Sequence, residues 1–241
     1  MNTKDNTILI TGGATGIGRS LAETFMSAGN EVIICGRREN RLNEVKTQWP
    51  QVHIRVCDVS KEKERESLYN WTRDNFKDIN ILINNAGIQI PIDLRKGVEA
   101  LLDDESEIET NLVAPISLSV HFIPLLMEQE AAAIVNVSSG LAFVPTPFVP
   151  IYCATKAALH SFTVSLRYQL EKTSVKVFEV VPPAVVTELH WRRTEGRSGR
   201  GSNAIQPSEV AEATLKGLAN DEYEIYPGWV KDFIERGRTG P

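Results

Sequence analysis

Along the whole chain, apolar runs rich in β-branched residues alternate with longer amphipathic segments, and that alternation leaves few folds open. The runs are Thr7–Thr11, Glu31–Cys35, Val52–Cys57, Ile79–Asn84, Ala133–Val137, Val175–Val181 and a short Tyr223–Tyr226. Most are continuously hydrophobic, as strands are when helices cover both faces of a parallel sheet. Helices are expected over Gly16–Ala28, Glu39–Gln48, Lys61–Phe76, about Asp104 to Glu130, Pro150–Lys172 and Pro207–Ala219. Asp58-Val59-Ser60 offers a cap for the third of these and Pro207-Ser208 for the last. The pattern predicts an α/β fold with a doubly wound parallel seven-stranded sheet, and 241 residues suffice for one such domain with a sizeable core.

Bulk properties narrow the partners. A formal charge of −5 argues against nucleic acid, which asks for a basic face. Cys35, Cys57 and Cys153 have no metal-ligand spacing and cannot all pair, which fits buried thiols in a reducing compartment. His53, His121, His160 and His190 are scattered, so no metal is expected. Met1–Asn6 is short and polar, and no apolar run reads as long enough to span a bilayer, so the expected location is the cytoplasm. The one compositional break is Arg192–Asn203, glycine-rich and basic, read as part of a mobile substrate loop around 188–206 inside the same domain.

The stretch Thr11-Gly12-Gly13-Ala14-Thr15-Gly16-Ile17-Gly18 follows the first strand and opens the first helix. Glycines there permit a tight turn and close backbone approach, and a helix N-terminus offers free N–H groups to a pyrophosphate. About twenty residues on, the second strand ends Cys35-Gly36-Arg37-Arg38. A site for NAD(H) would place an acid near Gly36, whereas an arginine there pairs a 2′-phosphate, so NADP(H) is preferred and NAD(H) stays open. Arg37 and Arg38 are otherwise the solvated start of a helix. Asp58, after the third strand, is a helix cap, an adenine contact, or both.

Tyr152 and Lys156 are four residues apart in a segment of good helix formers, which stacks them on one helix face. A neighbouring ammonium favours phenolate and is expected to lower the tyrosine pKa. Ser138 and Ser139 lie just upstream, Ser139 thirteen residues before Tyr152.

These motifs in this order, together with Asn84-Asn85-Ala86-Gly87 after the fourth strand, resemble the short-chain dehydrogenase/reductase family over Thr7 to about Tyr226. Within it the chain is most similar to the bacterial short-chain oxidoreductases associated with D-alanylation of teichoic acid, on Val32–Arg37, Asn84–Gln89, Ile134–Phe143 and Tyr152–Phe162. The resemblance implies a Rossmann fold, with Gly12, Thr15, Gly16, Ile17 and Gly18 along the cofactor phosphates and Asp58 and Val59 at the adenine. Asn85, Ala86 and Gly87 would border the ribose, and Pro182 and Thr187 the nicotinamide. Tyr152 would be the general acid/base, Ser139 the group polarising the carbonyl, Lys156 the ribose-binding cation and Asn111 the holder of a relay water. A homodimer or homotetramer through the fourth and fifth helices is implied too. One departure stands out: Pro182-Pro183 replaces the usual Pro-Gly, and Pro183 brings a fixed φ and no N–H.

The resulting expectation is an NADP(H)-dependent oxidoreductase acting on a small or lipid-linked carbonyl/alcohol substrate. Two alternatives stay open: a 3-oxoacyl-thioester reductase working on a carrier protein, and a non-catalytic NADP(H)-binding sensor or scaffold.

Overall fold

The computed structural model describes residues 1–101, 106–191 and 203–238. Seven strands form one parallel sheet: β1 (Thr7–Thr11), β2 (Glu31–Gly36), β3 (His53–Val56), β4 (Ile79–Asn84), β5 (Ala132–Val137), β6 (Val175–Val180) and β7 (Glu224–Ile225). Their spatial order is β3-β2-β1-β4-β5-β6-β7, every pair parallel. The expected doubly wound Rossmann-type sheet is therefore present.

Successive residues of a strand face opposite layers, and the two cores follow that rule. Ile8, Ile10, Ile34, Phe178 and Val180 pack with Leu21 and Phe25 of α1 (Gly16–Ser27) and Val210 of α6 (Pro207–Ala219). Leu9, Ile33, Leu82, Ile134 and Val177 pack the other way. They meet Leu68 of α3 (Glu62–Asn75), Leu118 and Phe122 of α4 (Ala114–Met127) and Leu166 of α5 (Pro150–Leu170). Each such side chain contributes about 1.5–3 kcal/mol on burial. α2 (Glu39–Gln48) completes the set on the first face, through Leu42 and Val45.

Strand order reverses between β1 and β4, so the C-terminal ends of these two strands open a crevice where such sheets take ligands.

Several details differ from the sequence reading. Asp58 does not cap α3; the N-cap is Lys61, and the Asp58 carboxylate instead accepts from the backbone N–H and hydroxyl of Ser60 at 3.0 and 2.7 Å. A short acid two residues from a free N–H closes this local turn before it can reach the helix. The cap of α6 is Gln206, in a capping box with Glu209, with Pro207 in the first turn. The long fourth helix is broken in character, a π-helical turn Glu109–Val113 running into α4, while Asp104 lies outside the described residues. The sequence reading missed α7 (Val230–Arg238), whose charged run hides two anchors: Val230 and Ile234 pack on Val181 and Phe143.

The stretch Glu109–Met127 is long and apolar enough to cross a membrane by composition, contrary to the sequence reading. Its inner residues Leu118, Phe122 and Leu126 are buried in the core of this sheet, which accounts for the apolarity. All three cysteines are free and buried.

Candidate active site

At the end of β1 the chain turns through Gly12 at φ +66° and Gly16 at φ +54°, a region that glycine enters without the penalty a Cβ brings. α1 starts directly after Thr15, whose side chain does not cap it, and its first residues Gly16 and Ile17 line the crevice. Thr11 fastens this loop to the end of β4: its hydroxyl accepts from the N–H of Asn85 and of Ala86, both at 3.0 Å, and the Asn85 amide donates to the Thr11 carbonyl at 2.9 Å. Gly18 is different from its neighbours. A Cβ there would lie 2.3 Å from the Gly12 carbonyl oxygen, so Gly18 serves helix–loop packing and does not line the crevice.

One cleft runs along this edge. Gly12, Thr15, Gly16 and Ile17 line it from the loop, Arg37 and Arg38 from the end of β2, and Asp58 and Val59 from the segment after β3. Asn85, Ala86 and Gly87 line its middle, and Tyr152, Lys156, Pro182 and Thr187 complete it. Arg38 donates to Glu188 at 2.8 Å and to the Thr15 hydroxyl at 3.2 Å, and Arg41 reaches the other Glu188 oxygen at 3.1 Å. Glu188 begins a 3-10 turn, Glu188–Trp191, in the segment predicted as a substrate loop; the basic residues Arg192, Arg193, Arg197 and Arg200 lie outside the described residues.

At the other end, α5 presents Tyr152 and Lys156 on one face, both buried. The Lys156 Nζ donates to the Val137 carbonyl at 2.8 Å and stands 5.7 Å from the Tyr152 ring centre. Burial pushes the phenol up to about 12; a hydrogen bond with the Ser139 hydroxyl works against that, and Cys153 and Glu107 add to it. Burial also brings Lys156 down to about 8, opposed by the negative charge of Glu179. This overturns the expectation that the ammonium lowers the tyrosine pKa in this arrangement. The cation points to the Val137 carbonyl, and desolvation outweighs what it offers the phenol.

Ser139 caps a short 3-10 turn, its hydroxyl accepting from Leu141 N–H at 3.1 Å, while the Ser138 hydroxyl donates to the Val180 carbonyl at 3.4 Å. Of the two serines, Ser139 is the one whose hydroxyl acts on the phenol, lowering its pKa against burial. Asn111 sits in the π turn, a local widening frequent at functional sites. Its side chain accepts from Ile88 N–H at 2.9 Å and donates to the Ile88 carbonyl at 2.8 Å and to Thr155 at 3.3 Å. A Cβ on Gly87 would stand 3.3 Å from the Asn111 Oδ1 and 3.7 Å from the Lys156 Nζ, so these three meet at one point. Neither Asn111 nor Ser139 lines the cleft itself; Asn111 holds Ile88, which does, and Ser139 acts on the phenol of Tyr152, which does too.

Pro183 costs nothing visible in the local ladder. Val181 N–H donates to Ile225, the Pro182 carbonyl accepts from Gly140, and the Ala184 carbonyl accepts from Ile205, none of which calls on an N–H at 183.

With fold and site in place, the class follows: the chain belongs to the short chain dehydrogenase family, whose profile matches residues 6–198, and is an NAD(P)-dependent oxidoreductase. Among its relatives, oxidoreductase DltE of Bacillus subtilis (strain 168) is 49% identical over 225 residues, covering 93% of this chain and 89% of that protein. That agrees with the subgroup resemblance read from the sequence. A short chain dehydrogenase from Burkholderia cenocepacia J2315 in complex with NADP superposes with a TM-score of 0.84 at 27% identity, covering 100% of this chain and 95% of the other. A Burkholderia phymatum member in complex with NAD gives 0.85 at 22% identity over 98% and 93%, a likeness of fold.

Residues to which the sequence assigns no role of their own include Thr11, Glu188 and Glu179. Glu188 gave no signal beyond standing next to Thr187. Glu179 did: it is an acid inside an otherwise apolar run, Val177-Phe178-Glu179-Val180-Val181, where a buried charge needs a partner.

Proposed function

We propose that the protein interconverts a carbonyl and an alcohol with NADP(H), Tyr152 acting as general acid/base. The observation that carries this reading is a single cleft lined both by the glycine loop at Gly12–Ile17 and by the buried pair Tyr152 and Lys156. The residues fit a dinucleotide. Gly12 and Gly16 line the cleft at positive φ, the uncapped start of α1 offers N–H groups to a pyrophosphate, and the space beside Gly36 is open. Asp58 and Val59 would meet the adenine, Arg37 and Arg38 a 2′-phosphate, Asn85–Gly87 and Lys156 the ribose, and Pro182 and Thr187 the carboxamide side. When bound, that cofactor supplies the hydride chemistry.

The chain's own work is the proton. At about 12 the Tyr152 phenol is protonated throughout the neutral range and donates to an oxygen developing negative charge. Ser139, whose hydroxyl acts on the phenol, supports that oxygen from the side. Asn111 fixes the Ile88 backbone beside the meeting point with Gly87 and Lys156, the route along which the phenol is reprotonated. General acid help of this kind is worth about 10²–10⁴-fold.

The substrate is a small or lipid-linked carbonyl or alcohol. Exposed Val120 on α4 and Tyr168 on α5 support pairing of subunits through these helices, as a homodimer or homotetramer. A panel of ketones, aldehydes and alcohols followed by NADPH absorbance, in parallel with NADH, tests the reading. Turnover with NADPH is expected; turnover confined to NADH would overturn the cofactor choice.

A further inference from the structure

Behind the catalytic helix a polar row crosses the apolar sheet. Asn84 on β4 is in register with Asn136 on β5, Asn136 with Glu179 on β6, and Glu179 with Glu224 on β7. Asn84 donates to Asn136 at 2.9 Å and Asn136 to Thr163 of α5, also at 2.9 Å. Glu179 shares its face of the strand with Val175 and Val177, under the α4 and α5 layer, and is 0% exposed. One of its oxygens lies 2.7 Å from the His160 Nδ1; the other has no hydrogen-bond partner among the described residues.

His160 follows Lys156 by four residues, as Lys156 follows Tyr152. The three therefore climb one face of α5 in successive turns. A carboxylate with one oxygen unpaired in an apolar layer carries a desolvation cost that a buried cation nearby can repay. Lys156, buried on the same helix face, is such a cation. We infer that Glu179, held by His160, is the counter-charge that keeps Lys156 ionised, and that the charge on His160 sets how strongly it does so. Glu179 is then a positioning residue for the proton chemistry, acting through Lys156.

The electrostatics agree in sign. Glu179 raises the Lys156 pKa against burial, and the hydrogen bond to Glu179 raises that of His160. His160 faces Glu179 from β6, Glu224 from β7 and Arg167 from its own helix, and its ring meets Phe143 edge-on at 4.5 Å. While His160 is charged the dyad is neutral overall and attracts Lys156 weakly; once His160 loses its proton, Glu179 acts on Lys156 uncompensated.

This inference rests on the proposed role of Lys156, and its test does not use catalysis. In full-length protein labelled with ¹³C-lysine, with Lys156 assigned through Lys156→Arg, the Lys156 Cε signal is followed against pH in wild type and Glu179→Gln. Glu179→Gln is expected to lower the pH at which Lys156 loses its proton by about one unit or more. An unchanged titration overturns the proposal. Should that variant not fold, wild type alone decides: the Lys156 signal is expected to show a second inflection where the His160 ring titrates, and a single inflection overturns it. Turnover surviving in Tyr152→Phe would sink the catalytic reading and leave this titration untouched.

Discussion

The Arg38 guanidinium lies 2.8 Å from the Glu188 carboxylate, so an acid of the segment after β6 occupies an arginine at the end of β2. Arg41 takes the other oxygen of the same carboxylate. An internal anion thus sits where the proposed function places a 2′-phosphate.

Removing the arginine and removing the acid should therefore have opposite effects. Arg38→Ala is expected to weaken NADPH binding about tenfold, the order of a lost charge-assisted contact, and to leave NADH binding unchanged. Glu188→Gln is expected to tighten NADPH binding by no more than about fivefold, because exposed ion pairs are worth about 0.2–1 kcal/mol. Fluorescence titration with both cofactors checks this; an equal effect on NADH would contradict it.

Gly16 carries two constraints at once. Its φ is +54°, and a Cβ would stand 2.9 Å from the Thr187 Cγ2. Left-handed backbone costs an L residue about 1–2 kcal/mol, so Gly16→Ala should lower stability by that order and displace Thr187. NADPH affinity should fall about tenfold or more. Thermal unfolding and cofactor titration together check it, and a variant unchanged in both would show that the loop is looser than described.

Lys156 is held charged at a cost. Its pKa lies at about 8 against an ordinary 10.5, a difference worth about 3 kcal/mol. Between those values the unfolded chain binds more protons than the folded one, so stability rises with pH there, and the full cost is present below about 8. Lys156→Met should abolish turnover yet be more stable than wild type at pH 7, and the gap should close towards pH 10.5. The attraction to Glu179 is already contained in that net shift, and loss of the Val137 bond offsets part of the gain, leaving about 1 kcal/mol. Chemical denaturation at several pH values measures this; a variant less stable at pH 7 would contradict it.

Much of this was legible in the residues, for identifiable reasons. The strands β1 and β4 run as expected because their central residues, Ile8–Ile10 and Ile81–Ile83, are hydrophobic and buried on both faces. The glycine loop and the Tyr152–Lys156 spacing were readable because each depends on local geometry, a turn in one case and a helix period in the other. What was not readable depends on distant partners. Gly18 looks like another loop glycine until the Gly12 carbonyl is placed against it. Glu188 acquires meaning only when the fold brings it to Arg38 and Arg41, some 150 residues away in sequence. The direction of the Tyr152 pKa was misjudged because charge proximity is visible in a sequence and desolvation is not.

The central claim is that the Tyr152 phenol, protonated and buried beside Ser139 and Lys156, delivers the proton. Tyr152→Phe removes one oxygen and keeps the ring that packs against Val149 and Cys153. The measurement is single-turnover NADPH oxidation by this variant with the best carbonyl of the panel, alongside NADPH affinity. The account predicts a rate lower by about 10²-fold or more with affinity within about twofold of wild type. A near-normal rate would contradict it.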